Sequence, residues 1–128
     1  MDSAPRSQTP FDDHFGQPRN TGVLEDADGH VAVDNPVCGD ELILYWKLTD
    51  DRQTISRVRF QVYGCPAAIA AGSALTEMIQ GKKPAALSSL DEAAVSEILG
   101  GLEKERAHAA VLAVDALKAM LRKVDEQE

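Results

Sequence analysis

Apolar and polar residues alternate in two neighbouring stretches of the chain, a pattern that is typical of half-buried β-strands. One face of the first stretch carries Leu42, Leu44, Trp46 and Leu48. One face of the second stretch carries Val58, Phe60 and Val62. The polar residues 49–53 (TDDRQ) separate the two stretches, so the pattern predicts an antiparallel hairpin with one apolar face. A weaker alternating piece around Val31 and Val33 predicts a third strand.

The spacing of apolar residues becomes helical after this hairpin. Pro66 suits the first position of a helix and Gly81 suits the residue after its end, so a helix is predicted between them. Ser89 is predicted to open a capping box for a short helix that stops at Gly100. A last helix is predicted over residues 103–124.

Strands that precede helices along the chain predict the α+β class: a small three-stranded antiparallel sheet covered by helices. A short helix is also expected within residues 11–22, where a glycine and a proline stop it. The length of 128 residues suits one domain. We expect residues 1–10 to be a disordered leader and residues 11–125 to form that domain.

The composition narrows the classes of function. Thirteen Lys and Arg residues stand against 21 Asp and Glu residues, a net charge of −8, so no nucleic-acid partner is expected. A basic protein or a cation suits this charge better. No apolar run approaches the ~20 residues of a membrane span and the N-terminus has no signal region, so the cytoplasm is the expected compartment. The sequence has no phosphate loop and no nucleophile–base set, so an enzyme is not expected.

The chain has two cysteines, and the predicted hairpin brings their positions together. Cys65 lies where the second strand meets the following helix, and the helix dipole is expected to lower the pKa of its thiol. Cys38 lies in the turn before the first strand. Since antiparallel strands place the start of one beside the end of the other, Cys38, Asp40 and Cys65 are expected at one end of the hairpin. Gly39 allows the tight bend that this requires.

A histidine is the fourth candidate. His108 lies near the start of the last helix between two alanines, whereas His14 and His30 lie in polar, loop-like sequence and are expected to have no special role. Two thiolates, an imidazole and a carboxylate form a ligand set that suits zinc or iron, although the spacing is not that of a zinc finger. The alternative of buried, unreactive thiols beside an ordinary turn aspartate stays open at this point.

Four ordered motifs resemble the IscU/NifU family of iron–sulfur cluster scaffold proteins. Residues 13–22 (DHFGQPRNTG) resemble the opening D-H-x-x-x-P-R-N-x-G, and residues 36–40 (PVCGD) resemble P-x-C-G-D. Residues 60–70 (FQVYGCPAAIA) resemble F-x-x-x-G-C-x-x-A-I-A, and residues 108–119 (HAAVLAVDALKA) resemble H-C-S-x-L-A-x-x-A-I-K-A. Because the four motifs occur in the same order as in the family, the chain is identified as a member of it.

The resemblance implies a three-stranded sheet covered by helices, with a site of three cysteines, an aspartate and a histidine. In the family, a cysteine desulfurase delivers sulfur, and a [2Fe–2S] cluster is assembled and handed to recipient apo-proteins. The aspartate keeps the cluster labile, and members without iron often hold Zn²⁺ in the same pocket. This chain departs from the pattern in two places. Ala109 stands where the third cysteine belongs, and residues 101–106 (GLEKER) replace a segment that some members offer to a dedicated chaperone. Binding of such a chaperone is therefore in question.

Two hypotheses follow. The first is a variant scaffold or carrier that binds iron, a [2Fe–2S] cluster or zinc through Cys38, Asp40, Cys65 and His108, with a second subunit of a homodimer as an alternative source of ligands. The second is a non-assembling, zinc-binding regulatory partner of a cysteine desulfurase.

Overall fold

The computed structural model describes residues 9–36 and 39–127. Five helices and three strands follow one another in this part of the chain: α1 (Pro10–Gly16), β1 (Gly29–Asp34), β2 (Glu41–Leu48), β3 (Ile55–Tyr63), α2 (Pro66–Ile79), α3 (Pro84–Leu87), α4 (Glu92–Ile98) and α5 (Ala107–Glu126). A 3₁₀ turn, Lys104–Arg106, leads into α5. No helix within the described ranges has both the length and the apolar character needed to cross a membrane.

The predicted hairpin and third strand are confirmed. The strands lie in the order β1–β2–β3 and both pairs are antiparallel. Glu41 pairs with Tyr63 at one end of the hairpin and Leu48 pairs with Ile55 at the other, with an irregularity in the register beside Leu48. The predicted α+β class, a three-stranded antiparallel sheet covered by helices, is therefore confirmed.

The helices cover the apolar face that the alternating pattern defined. The buried residues of the hairpin strands are Leu42, Leu44, Trp46, Leu48, Ile55, Val58 and Phe60. Helix α2 packs on β3, and α5 packs on β1, β2 and α2. Gly72 marks the closest approach of α2 to the sheet, because a Cβ atom there would lie 2.5 Å from Cδ2 of Phe60. Small residues on α2, among them Ala68, Ala71 and Ala74, are buried for the same reason.

The helix boundaries differ from the predictions at several points. The Asp91 side chain, rather than Ser89, caps α4 by accepting a hydrogen bond from the Ala94 amide at 3.0 Å. The predicted capping box at Ser89 is wrong because the helix begins two residues later than that box requires. The last helix begins at Ala107 after the 3₁₀ turn and runs to Glu126, and the short helix α3 was not predicted.

The first helix overlaps the end of the predicted leader. Helix α1 begins at Pro10, and Thr9 and Asp12 form a reciprocal capping box at its start. Residues 1–8 lie outside the described residues, so the prediction of a disordered leader stays a prediction there.

Candidate metal centre

Three predicted ligands meet at one end of the hairpin. Asp40 directly precedes β2, and Cys65 is the N-cap residue of α2, two residues after β3 ends. The β2–β3 register places these two ends side by side. Helix α5 packs against α2 and carries His108 at its second position. The fold therefore brings three separate parts of the chain to one point.

The distances between the donor atoms are close to those of a tetrahedral metal site. Cys65 Sγ lies 3.0 Å from Asp40 Oδ2 and 3.5 Å from His108 Nε2. His108 Nε2 lies 3.6 Å from Asp40 Oδ2. A zinc ion bound at ordinary bond lengths would hold such donors about 3.4–3.6 Å apart. One sulfur, one nitrogen and one oxygen thus lie nearly where such an ion would need them, in a group that can hold a metal.

The three side chains differ in burial, so the group is closed on one side and open to solvent on the other. Asp40 lies on the closed side, because the residue is only 5% exposed. Cys65 is half-buried, and 31% of the His108 side chain is exposed. An ion, or a cluster with further ligands, could therefore approach from the solvent side without displacing the core.

Backbone contacts hold Asp40 in place. Its Oδ1 atom accepts a hydrogen bond from the Cys65 amide at 3.3 Å, and its carbonyl accepts one from the Asn35 amide at 2.8 Å. The Gly39 amide donates to the Asn35 carbonyl, and the φ of Gly39 is 79°, in the left-handed region that favours glycine. The predicted tight bend is confirmed. Cys38, the fourth predicted ligand, lies outside the described residues.

The predicted direction of the Cys65 pKa is wrong. Burial, together with the hydrogen bond that the thiol donates to Asp40, raises the pKa of Cys65 above its ordinary value. Amide groups at the start of α2 act in the opposite direction, but they are outweighed. A helix N-terminus favours a thiolate, yet the fold places a second anionic group against the same sulfur. Without a cation at this position the thiol therefore holds its proton to a higher pH than an ordinary cysteine does.

Ala109 contributes to the core instead of the site. It has no exposed surface and packs with the apolar residues of the helices. The replacement of the family's third cysteine by Ala109 therefore removes a possible ligand, since an alanine methyl group cannot bind a metal. With two cysteines in the whole sequence, the chain can supply at most two thiolates.

His14 has a structural role that the sequence analysis missed. It lies on α1 rather than in a loop, is buried, and its Nδ1 atom lies 2.7 Å from Ser73 Oγ on α2. Burial and the neighbouring Arg19 lower the pKa of His14. Its Nε2 atom faces Glu77 at 3.6 Å. This serine, histidine and glutamate resemble a hydrolytic triad, but Ser73 is fully buried and cannot reach a substrate.

Residues after His14 make further hydrogen bonds that hold this part of the chain against α2 and β3. The Ser73 hydroxyl accepts a hydrogen bond from the Arg19 amide at 2.9 Å, and the Arg19 guanidinium pairs with Asp13 at 2.6 Å. Asn20 bonds Thr76 through its side chain and Phe60 through its carbonyl. The D-H…P-R-N motif thus fastens α1 to α2 and β3. Its residues lie more than 50 positions from Ser73, so only the motif itself signalled them. His30 lies on the exposed face of β1 near the Tyr45 ring.

Comparisons with known proteins agree with this fold. The family model described as the NifU-like N-terminal domain matches residues 8–128. Two similar solved structures are a NifU-like protein (N-terminal) from Brucella abortus, with a TM-score of 0.75 at 18% identity, and FiSufU from Fervidobacterium islandicum, with a TM-score of 0.69 at 22% identity. The first likeness covers 93% of this chain and 94% of the other, and the second covers 88% and 93%. At these identities the two structures establish the fold.

Curated relatives are closer in sequence. An iron–sulfur cluster assembly scaffold protein IscU 1 from Archaeoglobus fulgidus is 49% identical over 106 residues, which are 83% of this chain and 68% of the relative. The IscU from Aquifex aeolicus is 40% identical and covers 86% and 70%, and that from Haemophilus influenzae is 37% identical and covers 85% and 87%. The family match and these identities together show that the chain belongs to the IscU/NifU-like family and corresponds to its NifU-like N-terminal domain.

Proposed function

We propose that this chain is an iron–sulfur cluster assembly scaffold or carrier, which binds iron or a [2Fe–2S] cluster as cargo through Cys38, Asp40, Cys65 and His108. The observation that carries the proposal is the convergence of Asp40, Cys65 and His108 at near-tetrahedral spacing in an opening beside the sheet. The relatives at 37–49% identity, which are named as iron–sulfur cluster assembly scaffold proteins, support it.

The residues divide the work by the strength of the bonds that they can form. Thiolates of Cys65 and Cys38 would hold the cargo most firmly, because sulfur is the usual ligand of iron–sulfur clusters. The Asp40 oxygen and the His108 nitrogen would complete the set. Since the pKa of the Cys65 thiol is raised when no cation is bound, loading has to displace its proton, and the affinity for metal should therefore rise with pH.

A specific observation favours a second candidate. The buried Ala109 leaves at most two thiolates, whereas [2Fe–2S] clusters are usually held by four. Two thiolates, an imidazole and a carboxylate form an ordinary tetrahedral zinc set. The second candidate is accordingly a zinc-binding regulatory or interaction partner of a cysteine desulfurase, which builds no cluster of its own.

Both candidate functions involve a cysteine desulfurase as a partner. In the scaffold role the desulfurase would supply sulfur, and recipient apo-proteins would accept the finished cluster. A homodimer could supply missing ligands from a second copy. Neither role requires enzymatic turnover, a membrane or a nucleic acid, and the cytoplasm would suit both.

The first test is the content of iron, zinc and acid-labile sulfide in protein purified without oxygen, together with its visible absorption spectrum. Near-equal iron and sulfide with charge-transfer bands would support the scaffold. One zinc per chain without sulfide would favour the regulatory role. Asp40→Ala should reduce the bound zinc by removing an oxygen ligand, and it should lengthen the lifetime of a bound cluster, because the resemblance makes this aspartate the ligand that keeps a cluster labile. Asp115→Ala, which removes an exposed carboxylate on α5, is the matched control. Cluster binding that survives the loss of both cysteines would overturn the scaffold proposal.

A gain-of-function variant tests the importance of the missing thiol. Ala109→Cys places a thiol directly beside His108, at the position where the family carries its third cysteine. We expect a longer-lived cluster after chemical reconstitution, measured as the decay of the visible absorption in the presence of a chelator. Ala113→Cys adds an equally buried thiol one helical turn away and should leave the decay unchanged. Equal lifetimes for both variants would mean that position 109 does not face the cargo.

Titration with a cysteine desulfurase separates the two roles. The regulatory role predicts binding and a changed desulfurase rate with no cluster formed on this chain. The scaffold role predicts that cysteine, iron and desulfurase together produce a cluster bound to it.

A further inference from the structure

Gly64 is the residue between β3 and the N-cap of α2, and a side chain at this position would point towards Asp40 of the metal centre. The residue is exposed, and its φ is not in the left-handed region. An alanine could therefore adopt this backbone conformation. The physical reason for a glycine has to come from the direction in which a side chain would point.

That direction leads straight into Asp40. A Cβ atom built on Gly64 would lie 2.5 Å from Cγ and 2.8 Å from Cβ of Asp40, and it would also overlap Oδ1. Carbon atoms of a folded protein do not approach so closely, so the Asp40 side chain would have to move. Because its own Cβ is among the overlapping atoms, a rotation of the carboxylate alone would not relieve the contact.

Asp40 has little room to move. It is 5% exposed, it is followed at once by β2, and its carbonyl is bonded to the Asn35 amide. The same carboxylate accepts hydrogen bonds from the amide and the thiol of Cys65. Any displacement large enough to admit a methyl group would therefore separate the carboxylate from Cys65 and from His108.

We infer that Gly64 is a positioning residue of the metal centre: its missing side chain leaves the space in which the Asp40 carboxylate lies against Cys65 and His108. The inference rests on the proposed metal site. It assigns to Gly64 no contact with the metal and no role in the flexibility of the backbone. Gly39 provides the contrast, because a Cβ there would meet no atom of the described residues within 4 Å and the glycine is required for its positive φ.

The test measures the binding of Co²⁺ alone, whose absorption reports both affinity and the ligands of the ion. Gly64→Ala is compared with Gly16→Ala, since a Cβ on Gly16 would meet no atom within 4 Å in the part of the chain that the structure describes. We expect the affinity of Gly64→Ala for Co²⁺ to fall by about 10- to 100-fold, as when a residue that orients a ligand is lost. The sulfur-to-cobalt absorption should persist while the ligand-field bands change. Gly16→Ala should match the unmodified protein.

A double-mutant cycle shows whether Gly64 acts through Asp40. Asp40→Gly removes the three nearest atoms that the new methyl group would meet. In that background Gly64→Ala should cause no further loss of affinity, and the thermal midpoint of the apo-protein should be nearly the same with and without it. An equal loss in both backgrounds would overturn the inference, as would unchanged Co²⁺ binding by Gly64→Ala in the normal background.

The outcomes also separate this inference from the proposed function. If the unmodified protein binds no Co²⁺, the metal site is refuted and the inference is refuted with it. If the unmodified protein binds Co²⁺ and only the comparison of variants fails, the proposed function stands and Gly64 has no positioning role. A loss of secondary structure in Gly64→Ala, measured by circular dichroism, would also count against the inference, because it predicts a local effect.

Discussion

Replacement of Ser73 by alanine is expected to lower the free energy of unfolding by about 2–4 kcal/mol. The Ser73 hydroxyl is fully buried and has two partners, the Arg19 amide at 2.9 Å and His14 Nδ1 at 2.7 Å. Because it accepts from the amide, its own hydrogen is free to bond Nδ1, which fixes the proton of the neutral imidazole on Nε2. Alanine leaves both partners without this bond.

The magnitude follows from these two losses. An unsatisfied buried polar group costs about 1–3 kcal/mol. The Arg19 amide is only partly buried and contributes at the lower end, and His14 Nδ1 would keep only a long contact of 3.4 Å with Arg19 Nη1. Urea unfolding followed by circular dichroism gives the free energy, and hydrogen exchange should show faster opening of α1. Ser88→Ala is the control, because that hydroxyl is exposed and bonds the Ala85 carbonyl, and its effect should stay within about 0.5 kcal/mol. Equal effects of the two substitutions would refute the reasoning.

Three further predictions follow from the ionisable groups and from the metal. Since the pKa of His14 is lowered from 6.5, the unfolded chain binds a proton at this residue more readily than the folded protein does. The contribution of His14 to the stability should therefore be complete above pH 6.5 and be lost as the pH falls below it. His14→Phe should flatten the dependence of the urea midpoint on pH. In a Cys38→Ser background, Asp40→Asn should lower the pKa of the Cys65 thiol, although burial keeps part of the rise, and the pH dependence of alkylation by iodoacetamide measures it. Zinc at about 100 times its dissociation constant should add roughly 2.7 kcal/mol of stability, which a chelator should remove; an unchanged melting temperature would contradict a bound ion.

The amino-acid pattern was sufficient for the elements that depend on near neighbours. The alternation from Leu42 to Leu48 defines a strand and its buried face, because side chains of a strand point to opposite sides in turn. Pro66 correctly marked the start of α2, since proline is favoured at the first helical position. The start of α4 was predicted two residues too early, because both Ser89 and Asp91 are residues that can cap a helix. The 3₁₀ turn before α5 was not predicted, and no side chain caps it.

The candidate site was predictable only in outline. Antiparallel pairing was enough to bring Asp40 and Cys65 together, and the family motifs pointed to His108. The raised pKa of Cys65 was not predictable, because the sequence signals the helix N-terminus but not the carboxylate 3.0 Å from the sulfur. The space beside Gly64 has the same origin, since only the packed structure shows what a side chain there would meet.

The sequence by itself determined the strands, most of the helices, the family and the identity of the candidate ligands, because periodicity and local motifs record them directly. The tertiary structure decided that burial and the Asp40 carboxylate raise the pKa of Cys65, which glycine has to stay free of a side chain, and that His14 fastens α1 to Ser73, 59 residues away. The physical reason is that pKa values and packing depend on distances of a few ångströms between residues far apart in the chain. Only the folded arrangement of helices on the sheet sets those distances.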